Sequence, residues 1–324
     1  MNVLFVIDPL ASLNLQTETS LLLMDECRRR GHGTWITTVD GLSLREGGAA
    51  VRAQRIHVRL DHAATWELGT ASHGAFTPFD LVVMRTDPPV DAEYIFATYV
   101  LERAAETVPV INDPVSLRTV NEKLLPLWVP RFSPPTLVSN DAAELAAFAA
   151  AHERIVLKPL DECSGRGIQL LAAANAAAAI PAYLRRHGGR HVLAQRFLPG
   201  VAAGDKRIFV LAGDPIGAVN RIPSGPEQLA NIHQGARVEA TTITPREHEI
   251  VAALRPILLK HRLWMAGIDV IDGWLTEVNV TSPSAVRQIN AVSGTQLHVP
   301  IVDCFERLAT LRGCDQRGQS SAAG

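Results

Sequence analysis

The chain has 324 residues, of which 47% are hydrophobic and 20% charged. This composition is typical of a soluble globular protein and excludes disorder over the whole length, and the length predicts two or three domains. The 31 Lys and Arg residues nearly balance the 33 Asp and Glu residues, so no net charge favours nucleic acid as a partner. We therefore expect the partners to be small molecules.

The N-terminus and the cysteines indicate a cellular location. The chain starts MNVLFVIDPLAS, without a basic segment or a small-residue cleavage site. No apolar stretch approaches the roughly 18 residues needed to span a bilayer. The four cysteines are scattered and form no CxxC pair, which argues against a disulfide framework and against a zinc site. We expect a cytoplasmic protein with free thiols and no membrane contact.

The first residues have the pattern of a parallel β-α-β unit. Asn2–Ile7 is a continuous apolar run that ends in Asp-Pro, as a buried parallel strand ends in a loop. Thr17 or Thr19 is a suitable N-cap for the helix that follows, and Gly31 is a suitable end for it. A second strand is expected near residues 34–39.

A second unit of the same kind follows later in the chain. Residues 81–84 form another apolar run, which stops at Arg85, and residues 92–106 have the pattern of a helix. Ligands gather at the carboxyl edge of such parallel strands. We predict a doubly wound parallel-sheet domain over residues 1–118.

The pattern changes after Asn121. Prolines interrupt the chain before an Ala-rich helix at 142–151. Short apolar runs then predict strands at residues 155–158, 168–171, 191–197, 207–211 and 215–221. Antiparallel strands with helices between them indicate an α+β body, so the predicted fold class is α/β (α+β). Residues 314–324 lack periodicity and are rich in Gly, Ser and Ala, and we expect a disordered tail there.

The strongest chemical signal is a pair of neighbouring strands near the end of the chain. Glu277 and Asn279 are two residues apart on one strand, so their side chains point to the same face. Asp269 can join them from the preceding strand across an Asp-Gly turn. Two carboxylates and an amide oxygen form a hard oxygen site that suits magnesium and nucleotide phosphates. The alternative is a hairpin with exposed acidic side chains.

Two lysines are candidates for phosphate binding. Lys158 ends a predicted strand, and Gly165 and Gly167 follow it in a Ser-Gly-Arg-Gly segment. A lysine in this place can neutralise phosphates while a glycine-containing loop covers them with backbone N–H groups. On its own the Ser-Gly-Arg-Gly segment is equally compatible with an ordinary turn. Lys123 is likewise compatible with a solvated position on a helix face.

Several motifs together resemble one known family. They are VIDPLASLN at 6–14, VMRTDPPVDAEYIFATYVLE at 83–102, NEKL at 121–124, LKPLD at 157–161, AQRFLP at 194–199, GDKRIFV at 204–210, GIDVI at 267–271 and LTEVNVTSP at 275–283. In order and spacing they resemble bacterial glutathione synthetases, which belong to the ATP-grasp superfamily. The resemblance extends from the first strand to about Arg312.

The resemblance implies a fold, a reaction and a domain division. It implies an ATP-grasp fold with an N-terminal pre-ATP-grasp domain at 1–118, a central or lid subdomain at 119–190 and a nucleotide- and metal-binding subdomain at 191–313. The implied reaction joins a carboxylate to an amine through an acyl phosphate, with ATP and Mg²⁺ or Mn²⁺. In the family the substrates are γ-glutamylcysteine and glycine, and homo-oligomers are usual.

The resemblance also implies roles for residues at matching positions. The nucleotide phosphates are expected at Lys123 and Lys158 and at the loop of Gly165 and Gly167. The adenine is expected at a hinge formed by Gln195, Arg196, Phe197 and Leu198. The metal ligands are expected to be Asp269, Glu277 and Asn279. The catalytic residues implied are Arg207, which stabilises the acyl phosphate, Lys158, and Asn231 of a mobile lid at 224–238. The substrate is expected at Arg85, Asp87, Arg207, Ser282, Pro283 and Ser284.

Three segments depart from the family pattern. The phosphate loop, usually Asp-Gly-x-Gly-Gly, has Glu162 and Cys163 in place of small residues, and the lid lacks an arginine and two glycines. On the substrate side, Thr86 stands where the family has lysine, and Ser284 and Ala285 stand where it has Thr-Gly. These departures leave two alternatives open: a related ligase with a different acid or amine, and a nucleotide-binding regulator without turnover.

Overall fold

The structure is a computed structural model that describes residues 1–60, 64–162, 165–223 and 237–320. Within these ranges the strands form three sheets. The strands are β1 (Asn2–Ile7), β2 (Gly33–Thr37), β3 (Leu42–Arg45), β4 (Gly48–Arg59), β5 (Thr65–Ala75), β6 (Leu81–Arg85), β7 (Val110–Ile111), β8 (Thr136–Ser139), β9 (Arg154–Pro159), β10 (Gln169–Ala172), β11 (Val192–Arg196), β12 (Asp205–Leu211), β13 (Asp214–Ile222), β14 (Arg237–Ala240), β15 (Met265–Ile271) and β16 (Trp274–Asn279). The α-helices are α1 (Thr19–Arg29), α2 (Ala92–Ala104), α3 (Pro114–Thr119), α4 (Ala142–His152), α5 (Ala173–Arg186), α6 (Pro245–Lys260), α7 (Val286–Ser293) and α8 (His298–Ser320).

The first sheet has the parallel centre that the sequence predicted. Strands β2, β1, β6 and β7 run parallel in that order. Side chains of β1 alternate between two cores: Leu4 packs in the same core as Leu101 of α2, and Phe5 packs in the same core as Leu21 of α1. Helices therefore cover both faces of the sheet, which is why β1 is apolar at consecutive positions.

The antiparallel extension of this sheet was not predicted. Strands β3, β4 and β5 add to the edge beyond β2, and β4 pairs with all three of its neighbours, β2, β3 and β5. Most side chains of β5 are exposed. Because few of its residues enter a core, β5 lacks the clear apolar alternation by which strands are recognised.

The start of α1 also differs from the prediction. The N-cap is Glu18 rather than Thr17 or Thr19, and its side chain accepts a hydrogen bond from the backbone N–H of Ser20 at 2.7 Å. A glutamate is not among the preferred N-cap residues, so the sequence favoured its threonine neighbours. Gly31 follows the helix end with φ +79°, as expected of a terminating glycine.

The second sheet is antiparallel and has the strand order β10-β9-β11-β8. Its core includes Leu145 of α4 and Ile180 of α5. Strand β11 lies between β8 and β9, so the subdomain boundary predicted between residues 190 and 191 divides this sheet. Chain order alone does not show that a later strand pairs back between two earlier ones. The boundary at residues 118 and 119 stays a prediction, and every strand of the first sheet precedes it.

The third sheet carries the predicted acidic hairpin. Its order is β14-β13-β12-β15-β16, all antiparallel. Asp272 and Gly273 connect β15 to β16, both with positive φ, as the predicted Asp-Gly turn requires. Helix α6 begins with a capping box formed by Thr244 and Glu247.

The last helix continues farther than the sequence suggested. Residues 314–324 were expected to be disordered; α8 extends to Ser320, and residues 321–324 lie outside the described residues. A helix that has formed adds one hydrogen bond for each further residue, so it can continue through a segment without an apolar stripe. None of the helices in the described ranges is long and apolar enough to cross a membrane.

Candidate active site

One cavity of about 500 Å³ contains most of the residues that the sequence singled out. Its wall includes side chains from all three sheets: Arg85 at the end of β6, Lys158 on β9, Gln195 on β11, Arg207 on β12 and Glu277 on β16. Of the other predicted site residues, those on the wall are Lys123, Gly165, Arg196, Phe197, Leu198, Asp87, Asp269, Asn279, Ser282 and Ser284. The fold thus brings the predicted nucleotide, metal and substrate residues to one place.

The acidic hairpin brings the three predicted residues together on neighbouring strands. Asp269 lies opposite Glu277, and Gly267 lies opposite Asn279. The amide nitrogen of Asn279 donates to Asp269 Oδ2 at 3.2 Å and to the carbonyl of Gly267 at 3.0 Å. This arrangement fixes the amide, and no described residue donates to its Oδ1.

Asp269 is held by two buried arginines. Arg207 donates from Nε to Oδ1 at 2.5 Å and from Nη2 to Oδ2 at 3.0 Å, and Arg221 Nη2 lies 2.9 Å from Oδ1. Burial raises the pKa of the Asp269 carboxyl, but the two guanidinium groups outweigh burial and hold it below its usual range. Asp269 is therefore ionised at neutral pH, and most of its acceptor capacity is already used.

The donor set fits a magnesium ion that is shared with nucleotide phosphates. Glu277 is half-buried, and the ion pair described for it is with Lys123 Nζ at 3.5 Å. Within the described ranges no cluster of three or more His, Cys, Asp or Glu side chains could hold a metal by itself. Magnesium in nucleotide sites is usually held by one or two carboxylates together with phosphate oxygens. Glu277 and Asn279 could supply such ligands, with Asp269 beside them.

Both lysines interact with Glu277, Lys123 through the ion pair and Lys158 through its charge. Lys158 Nζ donates to Gln195 Oε1 at 3.0 Å, and Lys123 Nζ donates to the backbone carbonyl of Glu162. Burial lowers the pKa of Lys158, which Glu277 partly offsets. Because the partner of Lys158 is a neutral amide, its positive charge remains available for a phosphate.

The hinge segment connects the second and third sheets. Gln195 is buried on β11, and its amide donates to Thr136 Oγ1 at 3.2 Å. The backbone N–H of Phe197 donates to the carbonyl of Arg154 at 3.0 Å, and the Arg154 guanidinium lies 4.0 Å from the centre of the Phe197 ring. Leu198 is buried beside them. All four residues of the segment are on the cavity wall, and adenine binding there stays a prediction.

The glycines of the phosphate loop have different positions. Both have positive φ, +78° at Gly165 and +70° at Gly167. Gly165 is on the cavity wall, whereas Gly167 packs behind it, where a Cβ atom would lie 2.6 Å from Pro159 Cγ. Arg166 and Glu162 form an ion pair at 2.9 Å. Gly167 is thus required for packing, and direct phosphate contact stays a prediction for Gly165.

The substrate-side residues lie where β6 meets the loop before α7. Arg85 is buried and donates to the backbone carbonyl of Pro283 at 2.8 Å and to Ser20 Oγ at 3.1 Å. Asp87 is on the cavity wall, and its backbone N–H donates to Asp8 Oδ2 at 2.9 Å. Pro283 itself is not on the wall. Asn231, the catalytic residue expected in the lid, lies outside the described residues, as do Cys163 and lid residues 224–236.

Several charged residues of the cavity wall were not predicted as site residues, among them Arg221, Asp205 and Glu122. Arg221 bridges Asp205 and Asp269, with its Nη2 2.7 Å from Asp205 Oδ2. Burial raises the pKa of Asp205 despite this ion pair. Asp205 could have been found from the sequence, because it is two residues before Arg207 on the same strand and shares its face. Arg221 gave no such signal.

Glu122 is another charged residue of the cavity wall that was not predicted as a site residue. Its Oε1 accepts hydrogen bonds from the backbone N–H groups of Val280 and Thr281, at 2.7 and 2.9 Å, and from Thr281 Oγ1 at 2.9 Å. Burial raises the pKa of this carboxyl, and the charge of Glu277 raises it further. Glu122 therefore ties the end of β16 to the segment that carries Lys123.

Comparisons with known proteins agree with this geometry. Residues 1–118 match the family model of the prokaryotic glutathione synthetase N-terminal domain, and residues 122–294 match that of the prokaryotic glutathione synthetase ATP-grasp domain. The chain is 41% identical over 309 residues to the glutathione synthetase of Xanthomonas campestris, covering 94% of this chain and 98% of that protein. It is 41% identical over 318 residues to the glutathione synthetase of a Synechocystis species, covering 95% and 99%.

Solved structures share the fold at lower identity. A D-cycloserine synthetase superposes with a TM-score of 0.68 at 17% identity, covering 94% of this chain and 99% of that chain. The D-alanyl-alanine synthetase A of Vibrio cholerae superposes with a TM-score of 0.58 at 17% identity, covering 95% and 98%. At this identity the likeness concerns the fold alone.

Proposed function

The chain belongs to the family of prokaryotic glutathione synthetases, and we propose that it joins γ-glutamylcysteine to glycine with hydrolysis of ATP to ADP and phosphate. The observation that carries this proposal is the single cavity in which Lys123, Lys158, Arg207 and the hairpin of Glu277 and Asn279 meet. The family uses ATP and a divalent metal. For this chain we propose Mg²⁺, with Mn²⁺ as a substitute, because the available ligands are oxygens.

The proposed mechanism begins at the carboxylate of the cysteinyl residue. One of its oxygens attacks the terminal phosphorus of ATP, the bond to the ADP oxygen breaks, and an acyl phosphate forms. Lys123 and Lys158 hold the phosphates, and Arg207 faces the charge that develops on the transferred group. Glu277 and Asn279 would hold a magnesium ion, which would further neutralise the negative charge of the phosphates.

The second step forms the amide. The neutral amine of glycine attacks the acyl carbon, the bond from that carbon to the phosphate oxygen breaks, and phosphate departs with the oxygen that came from the carboxylate and takes up the proton lost by the amine. None of the described residues is needed as a nucleophile. Water must be excluded until glycine attacks, because it would hydrolyse the acyl phosphate. We propose this role for the lid at 224–238 with Asn231.

The loop on the substrate side supports the family reaction. Ala285 stands where the family has glycine, yet it has φ +84°, the left-handed conformation that glycine favours. The backbone path of this loop is therefore compatible with the family pattern despite the substitution. We further propose that the protein is a homo-oligomer and that it is located in the cytoplasm. The buried free thiols of Cys27 and Cys304 support the cytoplasmic location.

An omission assay tests the proposal. Purified protein is incubated with ATP, magnesium, γ-glutamylcysteine and glycine, and ADP release is measured with each component left out in turn. ADP is expected only when all four are present. Release that requires another acid or amine would show a ligase of different specificity, and nucleotide binding without turnover across a substrate panel would show a regulator.

A further inference from the structure

The N-terminal domain contributes one part of the cavity wall, formed by the two residues before α1, the end of β6 and the loop that follows β6. Its members are Thr17, Glu18, Arg85, Asp87 and Pro88. This part of the wall combines one buried cation with carboxylates. The proposed phosphate and metal sites give Glu18 no role, although it is on the cavity wall.

Arg85 is buried, and the partners described for it are neutral. Only 3% of its surface is exposed, and the hydrogen-bond partners described for it are the hydroxyl of Ser20 and the carbonyl of Pro283. A buried guanidinium whose partners are neutral is costly unless an anion completes its surroundings. Arg85 therefore suits a carboxylate of the substrate.

Glu18 is fixed in position on the same part of the wall. Its Oε1 caps α1 by accepting from the backbone N–H of Ser20 at 2.7 Å. No described residue donates to its second oxygen. Because the cap restrains the side chain, the carboxylate is held in place before any ligand binds. Glu18 and Asp87 are also the two acidic residues whose charges act most strongly on Arg85.

A cation and a carboxylate held on one wall match an amino-acid headgroup, which carries both charges. The proposed substrates contain two amino groups. Glycine must attack as a neutral amine, and a neighbouring carboxylate would favour its protonated form. The amino group of the γ-glutamyl residue takes no part in the reaction and remains an ammonium ion. An anionic site therefore suits the glutamyl end of the donor better than the acceptor.

We propose that Glu18 binds the α-ammonium group of the donor's glutamyl residue while Arg85 binds the α-carboxylate of the same residue. This assignment rests on the proposed function and gives the donor a direction. The glutamyl headgroup lies against α1, and the cysteinyl carboxylate points toward Arg207. Glu18 is then a specificity residue, since it distinguishes a γ-glutamyl donor from an acid that lacks the amino group.

The test combines one substitution with one change in the donor. Glu18→Gln keeps the side-chain length and an oxygen that can accept from Ser20, but it removes the charge. The two donors are γ-glutamylcysteine and glutarylcysteine, which lacks only the α-amino group. ADP release is measured at saturating ATP and glycine to obtain KM for each donor. Asp141→Asn is the control, because Asp141 caps α4 in the same way and is not on the cavity wall.

In the unaltered protein, KM should be about tenfold or more higher for glutarylcysteine, the size of effect expected for a charge-assisted hydrogen bond. Glu18→Gln should raise KM for γ-glutamylcysteine by about the same factor and change KM for glutarylcysteine little. The control should match the unaltered protein with both donors. Glu18→Ser, which retains a preferred N-cap residue, should repeat the result if Glu18→Gln proves unstable.

An equal rise of KM with both donors in Glu18→Gln and Glu18→Ser would show that Glu18 only supports the helix, and would overturn the assignment. The same holds if the unaltered protein does not distinguish the donors. Absence of ADP release from the unaltered protein with γ-glutamylcysteine and glycine would instead overturn the proposed function, and the assignment with it.

Discussion

Arg207 and Asp269 face each other on neighbouring strands β12 and β15, and two hydrogen bonds of 2.5 and 3.0 Å join their side chains. Both side chains are almost fully buried. The resemblance to the family implies that Asp269 binds a metal and Arg207 the acyl phosphate. In the structure the two residues are coupled, because the charge of each neutralises that of the other.

Asp269→Asn should therefore destabilise the fold as well as the site. The substitution leaves Arg207 and Arg221 buried without their shared carboxylate, and breaking a buried ion pair costs about 3 to 5 kcal/mol. We expect a Tm lower by roughly 5 °C or more in thermal unfolding. Asp214→Asn, which removes an exposed ion pair with Arg255, should change Tm by much less. Equal Tm values for the two variants would contradict the coupling.

Glu277→Gln should lower turnover strongly and leave the stability of the fold nearly unchanged. The Glu277 side chain is 25% exposed, and its described ion-pair partner is Lys123 at 3.5 Å, so its charge contributes little to stability. Its proposed role as a metal ligand predicts a loss of about two orders of magnitude in ADP release. Tm and nucleotide affinity should be nearly unchanged, as shown by thermal unfolding and calorimetric titration.

Glu249→Gln is a matched control for Glu277→Gln, because Glu249 is an exposed ion-pairing residue that is not on the cavity wall. It should retain full turnover. Turnover of Glu277→Gln within a few fold of the control would place the metal elsewhere.

The sequence predicted the centres of the fold and of the site better than their edges. Glu277 and Asn279 were found because strand alternation places them on one face, and β1 was found because its residues are buried on both faces. The ion pairs of Asp269 with Arg207 and Arg221 depend on register between strands that are distant in the chain, which local patterns do not specify. The pairing of β11 between β8 and β9 escaped prediction for the same reason.

Thr86 stands where the family has a lysine, and its side chain is buried. Thr86 is 8% exposed, and its Oγ1 has no hydrogen-bond partner among the described residues. Thr86→Val should leave stability unchanged or raise it by about 1 kcal/mol, because it removes a buried polar group without a partner. The measurement is unfolding by denaturant.

Thr86→Lys should lower stability, because it places an ammonium group in a buried position. It should bring no gain in turnover with γ-glutamylcysteine. A large gain would mean that the natural threonine has impaired the reaction and that the pocket still accepts the family's lysine.

His298 should make stability depend on pH. Burial lowers the pKa of this imidazole below 6.5, Arg29 and Arg30 lower it further, and the carboxylates of Glu26 and Asp25 act in the opposite direction. The folded state therefore binds the proton less readily than the unfolded state. Its contribution to stability is present above pH 6.5 and is lost as pH falls through the pKa of the folded state.

Between pH 7.5 and 5.5 the free energy of unfolding should fall more for the unaltered protein than for His298→Gln, measured by denaturant titration at each pH. Glutamine can still accept the hydrogen bond that Asn290 Nδ2 donates to His298 Nδ1 at 3.0 Å. Parallel pH dependence in the two proteins would show that other groups are responsible.

The central claim is that ATP activates the donor by forming an acyl phosphate in the cavity of Lys158, Arg207 and Glu277. Its most direct test is oxygen transfer. γ-Glutamylcysteine labelled with ¹⁸O in both oxygens of the cysteinyl carboxylate is incubated with ATP, magnesium, glycine and the protein, and the phosphate released is analysed by mass spectrometry. The account predicts one ¹⁸O atom in each phosphate formed, with ADP as the nucleotide product. Unlabelled phosphate, or AMP with pyrophosphate, would contradict it.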